Sequence, residues 1–310
     1  MILSVSRRTD IPAFYSEWFF NRLKAGFVDV RNPMNIHQVS RVKLSPEVID
    51  CIVFWSKNPK PMLDRLDELE RYRYYFQFTI NPYDTGIEYD VPRKRGIIDT
   101  FRSLSKRIGD RRVIWRYDPI LFSNEIDMNY HIRYFEEIAS RLEGYVKTCV
   151  ISFIDLYKKT ERNIINTSIR EPNEEEMHDV ARRIVGIARK YGISVKSCAE
   201  RIDLSEEGIE HGQCIDQMLI SDIVGCPILA KKDKCQRKEC GCVESIDIGQ
   251  YNTCTHNCIY CYANFQKNVV IRNSSLHNPM SSLLIGELTP EDIVKERKMI
   301  SLKDNRMLFK

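Results

Sequence analysis

Residues Cys51-Ile52-Val53-Phe54-Trp55 form an unbroken apolar run. A half-solvated strand alternates apolar and polar positions, so a continuous run is the signature of a strand buried on both faces of a parallel sheet. Parallel neighbours need crossover connections, most often helices. The rest of the chain supplies them. Ile2 to Val5 reads as a strand, and Phe14 to Lys24 as a helix with Phe14, Trp18 and Leu23 on one face, closed by Gly26. Pro61 opens a helix carried by Met62, Leu66 and Leu69. The strand Tyr75 to Ile80, the helix Ile97 to Ile108, the strand Val113 to Tyr117, the helix Met128 to Leu142 and the strand Thr148 to Phe153 follow. Asn173 and Glu176 form a capping pair ahead of the stripe Met177, Val180, Ile184 and Ala188, and Gly192 stops that helix. Ile193 to Lys196 and Ser245 to Gly249 read as further strands. The tail reads as a strand near Ile285-Gly286-Glu287 and a helix from Pro290 to Lys298.

This alternation predicts an α/β fold, a partial or near-complete parallel (β/α) barrel forming one domain over residues 1–310. The 43% hydrophobic and 29% charged composition is that of an ordinary globular protein. A net charge of +4 permits a polyanionic partner without pointing to one. Charges follow closely on Met1 to Val5, unlike a signal peptide, and no apolar run approaches the ~18 residues of a membrane span. The expectation is a cytoplasmic protein without membrane contact. Eleven cysteines in that setting point to metal or redox chemistry, not to disulfides.

In parallel α/β folds the site lies at the carboxyl ends of the strands. The residues after each strand are polar here: Ser6, Arg7, Arg8 and Asp10; Ser56, Lys57 and Asn58; Thr79 and Asn81; Arg116 and Asp118; Ser152 and Asp155; Ser197, Cys198 and Glu200. Loops are polar in general. The same register after six strands instead describes a mouth able to hold a zwitterionic ligand. By location, Asp10, Asp118 and Glu200 are the candidate acid-base residues.

The most distinctive stretch is Cys254-Thr255-His256-Asn257-Cys258-Ile259-Tyr260-Cys261. Soft thiolates select iron-sulfur clusters, zinc or copper(I). A structural zinc site and a [4Fe-4S] cluster each normally take four protein ligands, and three leave one position open. A zinc knuckle is the alternative at this spacing.

The triplet with its aromatic Tyr260 resembles the signature of the radical S-adenosylmethionine (SAM) superfamily. Ser6-Arg7-Arg8-Thr9-Asp10-Ile11-Pro12, Val53 to Pro59, Phe78-Thr79-Ile80-Asn81 and Arg116-Tyr117-Asp118-Pro119 resemble strand-end motifs of its spore photoproduct lyase branch. Those relatives carry the cysteine loop on an early strand, whereas here it follows everything else. The whole chain is most similar to an uncharacterised bacterial family with a C-terminal CxxxCxxC motif, and the order suggests a circularly permuted barrel of radical SAM type. The resemblance implies that Cys254, Cys258 and Cys261 hold a [4Fe-4S] cluster with an open iron site. It places Tyr260 near the adenine of SAM, with Ser6, Lys57 and Thr79 holding the rest. It also implies reductive cleavage of SAM to a 5'-deoxyadenosyl radical, fed by an electron donor such as flavodoxin or ferredoxin. The usual Gly-Gly-Glu motif is missing, and Glu287 is the weak substitute.

Residues 198–242 carry a second group, Cys198, Cys214, Cys240 and Cys242, suited to an auxiliary [4Fe-4S] cluster or to zinc, with Cys226 and Cys235 spare. Cys51 and Cys149 lie within apolar strands and read as core. The substrate is open between a nucleic-acid lesion and a small anionic molecule. Arg7, Arg8, Arg116 and Lys57 would meet its phosphate or carboxylate, with Trp55 and Tyr117 as stacking candidates and Trp115 as core. Cys198 and Tyr83 are weak hydrogen-atom donor candidates. Two further classes remain: an iron-sulfur electron-transfer protein not using SAM, and a zinc-stabilised nucleic-acid-binding protein.

Overall fold

The computed structural model describes residues 1–156 and 158–304. In chain order the elements are β1 (Ile2–Val5), α1 (Ile11–Phe14), α2 (Ser16–Ala25), β2 (Phe27–Asn32), β3 (Asn35–Lys43), β4 (Cys51–Ser56), β5 (Tyr74–Thr79), α3 (Lys94–Ile108), β6 (Val113–Ile120), α4 (Met128–Leu142), β7 (Thr148–Phe153), α5 (Lys158–Ile164), α6 (Glu174–Lys190), β8 (Ser194–Ser197), β9 (Glu210–His211), α7 (Gln217–Val224), β10 (Ile246–Asp247), α8 (Lys267–Ser275) and β11 (Ile293–Glu296). Eight strands form one parallel sheet in the order β10-β1-β4-β5-β6-β7-β8-β9. Read from β10, the late strand simply precedes β1, and the others follow in chain order. Among the described residues no ladder joins β10 to β9. The sheet is open and does not close into a barrel.

Side-chain alternation sorts the strands into two faces. Ile52 and Phe54 of β4, Phe76 and Phe78 of β5, Trp115 and Tyr117 of β6, and Ile151 of β7 pack against the helices in the main core. There Phe54 stacks on Phe76 at 4.6 Å, and Trp115 stacks on Phe135 of α4 at 4.7 Å. Tyr117 is thus a core residue like Trp115, and of the three aromatics considered for base stacking Trp55 alone reaches the cavity described below. The opposite face begins apolar, with Cys51, Val53, Tyr75, Ile114 and Val150, and is covered by Ile215, Ile220, Ile228 and Val243. Towards the strand ends the same face turns polar, through Gln77, Arg116 and Ser152.

Local signals set most boundaries. Asn173 accepts from the Glu176 backbone while the Glu176 carboxylate accepts from the Asn173 N–H, which is the expected capping box of α6. Asp127 and Asp216 cap α4 and α7. Three expectations change. The stretch opened by Pro61 is a 3-10 helix over Lys60–Leu69. The helix expected from Phe14 is split at Tyr15 into α1 and α2. The tail helix expected from Pro290 to Lys298 contains β11, parallel to β3, in a small sheet ordered β11-β3-β2. β-Branched Ile293 and Val294 suit a strand, and the open edge of the β2/β3 hairpin supplies the partner that local propensity does not reveal.

His131 of α4 is fully buried. Its Nε2–H donates to the Leu121 carbonyl at 2.8 Å, and Nδ1 accepts the Tyr117 hydroxyl at 2.9 Å. That pairing suits the neutral ring, and burial pushes the imidazole down to about 4. Because the folded value lies below the unfolded one, the unfolded chain binds more protons between about pH 6.5 and 4. Stability is therefore retained above pH 6.5 and falls by roughly 3 kcal/mol as pH drops through this window. Denaturant unfolding of the wild type and His131→Asn at pH 7, 6, 5 and 4 should show the wild type's advantage shrinking towards acid. A gap constant with pH would refute the neutral-ring assignment.

Candidate functional site

The strand ends open onto a cavity of about 1380 Å³. Its wall includes Ser6, Lys57, Thr79, Arg116, Asp118 and Cys198, together with Cys254, Cys258, Cys261 and Tyr260 of the late loop. Cys214, Cys240 and Cys242 line the same space. Both predicted cysteine groups thus face one cavity.

The late loop is placed first by β10. Asp247 accepts from Ser4 Oγ, Ser6 Oγ, the Arg7 N–H and the Gly249 N–H, so one carboxylate joins the end of β1 to the start of the cysteine loop. A side chain at position 249 would overlap Ser6, so this close approach requires glycine. The second tie is Asp10. Its Oδ1 accepts from Ser56 Oγ at 2.7 Å and the Ala13 N–H at 3.0 Å, and its Oδ2 accepts from the Lys57 N–H at 2.8 Å and lies 2.8 Å from His256 Nε2. Within the loop, Asn264 Nδ2 donates to the Cys254 carbonyl and the Asn252 N–H to Ala263. Asn252 and Asn257 adopt left-handed backbone, which asparagine tolerates better than most residues.

The third tie escaped the sequence reading. Glu88 pairs its backbone with Cys258, and Ile259 N–H donates to Ile87, so residues 87–88 run alongside the cysteine loop. The buried Glu88 carboxylate accepts from Lys57 Nζ at 2.7 Å and also from Lys94 and the Tyr260 hydroxyl. Lys57 Nζ donates to the Tyr260 oxygen as well, at 2.8 Å. Burial acts to raise the Glu88 carboxyl, but Lys57 and Lys94 outweigh it and hold it down to about 2. No spacing rule links positions 57, 88 and 260; only the fold brings them together.

The other expected residues are distributed as follows. Ser6 is engaged by Asp247, Lys57 by Glu88 and Tyr260, and Thr79 stands on the cavity wall. Asp118 lies on the wall paired with Arg116, and Ser152 donates to it. Asp10 also reaches the wall, with both oxygens engaged. Glu200 sits outside the lining, accepting from the Phe153 N–H, and burial raises its carboxyl to about 7. Exposed Glu287 accepts from Asn278 away from the cavity. Tyr83 is buried and donates to the Pro119 carbonyl. Cys235 borders the cavity, Cys226 does not, and Cys51 and Cys149 are core residues as expected.

Within the second cysteine group the Cys198 and Cys214 sulfurs are 2.9 Å apart, and Cys242 Sγ accepts from the Ile215 N–H at 3.4 Å. Arg116 Nη1 donates to Cys214 Sγ at 2.8 Å. The hydrogen bond from Cys198, with the nearby Arg116 and Arg7 guanidinium groups, holds the Cys214 thiol below the ordinary range. Arg7 lies over Trp55 at 5.2 Å, with Nη2 buried and unpartnered. Among the described residues no group of three or more His, Cys, Asp or Glu side chains is placed to hold a metal ion.

Glu88→Gln leaves Lys57 and Lys94 without their shared counter-charge. It should cost about 3–5 kcal/mol in denaturant unfolding, as removal of one partner of a buried ion pair does. The double variant Lys57→Met/Glu88→Gln should recover part of that loss. A cost near zero for Glu88→Gln would show that the network does not hold the loop.

Among the described residues no helix is long and apolar enough to cross a membrane. Comparisons with curated proteins and with solved structures gave no match. A family model described as a domain of unknown function, DUF1848, matches residues 2–263, and the chain belongs to that family.

Proposed function

We propose that this protein is a radical SAM iron-sulfur enzyme of permuted strand order. The observation that carries the reading is that Cys254, Cys258 and Cys261 share one cavity with Ser6, Lys57 and Thr79 at the carboxyl ends of a parallel sheet. The sheet order adds support, because β10, which feeds the cysteine loop, lies where a first strand would lie in an unpermuted chain.

The donor set fits a [4Fe-4S] cluster. Burial pushes the Cys258 thiol up to about 12 against the pull of Lys57, and burial likewise raises Cys254 and Cys261. Buried thiols of this kind would give up their protons to a cationic metal centre on binding it, and three of them would leave one iron of a four-iron cluster free. A cluster held by Cys254, Cys258 and Cys261 would, together with SAM, supply radical chemistry on one-electron reduction, the chemistry belonging to the cofactor. The chain's own residues shape the space around it. Glu88 fixes Lys57 and Tyr260 at the wall, and Asp118 with Arg116 forms a polar patch beside Ser152. Arg7 and Arg8, lying over Trp55 and Tyr251, offer guanidinium groups to an anionic substrate. Reduction requires an electron donor of the flavodoxin or ferredoxin type.

Protein purified and reconstituted without oxygen, then given dithionite and SAM, should release 5'-deoxyadenosine. Cys258→Ala should abolish release and lower the iron content. Iron without SAM cleavage would make the protein an electron carrier. Zinc alone, with no 5'-deoxyadenosine, would end the radical reading and favour the zinc-stabilised binding protein.

A further inference from the structure

We propose that the substrate is a small molecule with two anionic head groups, phosphate or carboxylate, held by Arg7 and Arg8 with Arg272 on the same wall, and that no nucleobase stacks on the aromatic rings beneath those arginines. The inference deepens the radical reading and, as a statement about a substrate, rests on it.

Unanswered charge is the first argument. Of the acidic side chains on the cavity wall, Asp29 pairs with Arg41, Asp118 with Arg116 and Asp155 with Arg237, and both oxygens of Asp10 are engaged in holding the cysteine loop. Of the basic ones, Arg31 pairs with Asp292 and Lys57 with Glu88. Arg7, Arg8 and Arg272 line the same wall, and among the described residues their guanidinium groups make no ion pair and no hydrogen bond. Arg7 is the most demanding of the three, because its Nη2 is buried and donates to nothing. A buried charged donor left unmet is costly, so an acceptor from outside the chain completes it.

Position is the second. β1 lies between β10 and β4, and the two arginines that follow it reach to opposite neighbours. Arg7 lies over Trp55 of β4 at 5.2 Å, and Arg8 lies over Tyr251, just after β10, at the same distance. Two guanidinium groups pinned on separate rings are held apart, which suits a ligand with an anionic group at each end. The same contacts argue against base stacking, which needs an open ring face. Trp55 presents a face to Arg7 and packs against the apolar part of the sheet. Tyr251 is engaged by Arg8 and also by Phe265, whose ring stacks on it at 5.7 Å. These rings position the arginines.

Size is the third. The cavity of about 1380 Å³ exceeds the roughly 300–1,000 Å³ of a pocket for one drug-sized ligand, which leaves space for a small second molecule beside SAM.

The test is calorimetric titration of the full chain, isolated without oxygen and given neither reductant nor SAM, with inorganic pyrophosphate, succinate and inorganic phosphate. Wild type is compared with Arg7→Ala, Arg7→Lys, Arg8→Ala and Arg111→Ala; Arg111 is exposed ahead of β6, at the far ends of the strands, and serves as the control. Pyrophosphate or succinate should bind at least about tenfold more tightly than phosphate, since it has two heads to engage, and the tighter of the two identifies the head group. Arg7→Ala and Arg8→Ala should each weaken that binding by about ten- to a hundredfold, with Arg7→Lys in between and Arg111→Ala unchanged. Should Arg7→Ala not fold, Arg8→Ala and Arg7→Lys decide. No binding by wild type at millimolar ligand, or an equal loss in Arg111→Ala, would overturn the proposal, as would tight binding of a single-stranded oligonucleotide that neither pyrophosphate nor succinate displaces. Release of 5'-deoxyadenosine without anion binding would remove this inference and keep the radical reading. Anion binding without release would remove the radical reading and leave Arg7 and Arg8 as an anion site.

Discussion

The mouth of the sheet depends on three carboxylates, two of them buried, Asp10 and Glu88, and one partly buried, Asp247. Asp247 joins β10 to the residues after β1, Asp10 joins the end of β4 to His256, and Glu88 joins Lys57 to Tyr260. A buried carboxylate is costly unless several donors converge on it. Each of these therefore enforces a meeting of segments that are remote in sequence. The cysteine loop owes its place to that requirement more than to its own short backbone ties.

The sheet supplies the other half of the placement. Its strands are buried on both faces, as the run Cys51 to Trp55 demands, but the two faces are covered differently. Helices cover one. A segment whose described regular structure is little more than α7 covers the other, and that segment brings the thiols with it. Irregular chain on an apolar sheet face gains less from backbone cooperativity than a helix does, so its order must come from side-chain anchors such as the Tyr75 and Gln77 bonds to the Cys214 carbonyl.

Legibility in the sequence followed the range of the interaction. Strands with continuous apolar runs and helices with caps were readable, because alternation and capping are local. The Asn173/Glu176 box is the clearest case. The β2/β3 hairpin and β11 were not, since only Val39 and Val42 of β3 are buried and its partner strand lies some 250 residues downstream. At the site the cysteines, Ser6, Lys57 and Thr79 were readable from motif likeness and strand-end position. Glu88 and Asp247 carried no such mark, their partners being set by tertiary contact alone. Asp10 was noticed for the right place, yet its two oxygens are committed to holding the loop.

Eight thiols border one cavity, the two groups and Cys235, and this creates a problem of its own, because neighbouring thiols exchange and oxidise together. The chain meets it by separation. Cys254, Cys258 and Cys261 are fixed by the Asp10, Glu88 and Asn264 ties on the side of β10 and β1, while Cys198, Cys214, Cys240 and Cys242 are fixed from β5, β6 and β8. Arg7 lies beside the second group and under Trp55, its backbone carbonyl accepting the Tyr262 hydroxyl just beyond the first. Geometry and ligand type, more than affinity, decide which metal a site takes. The two thiol groups thus share one cavity while differing in number and in the cations beside them, Arg116 at Cys214 and Lys57 at the wall near Tyr260.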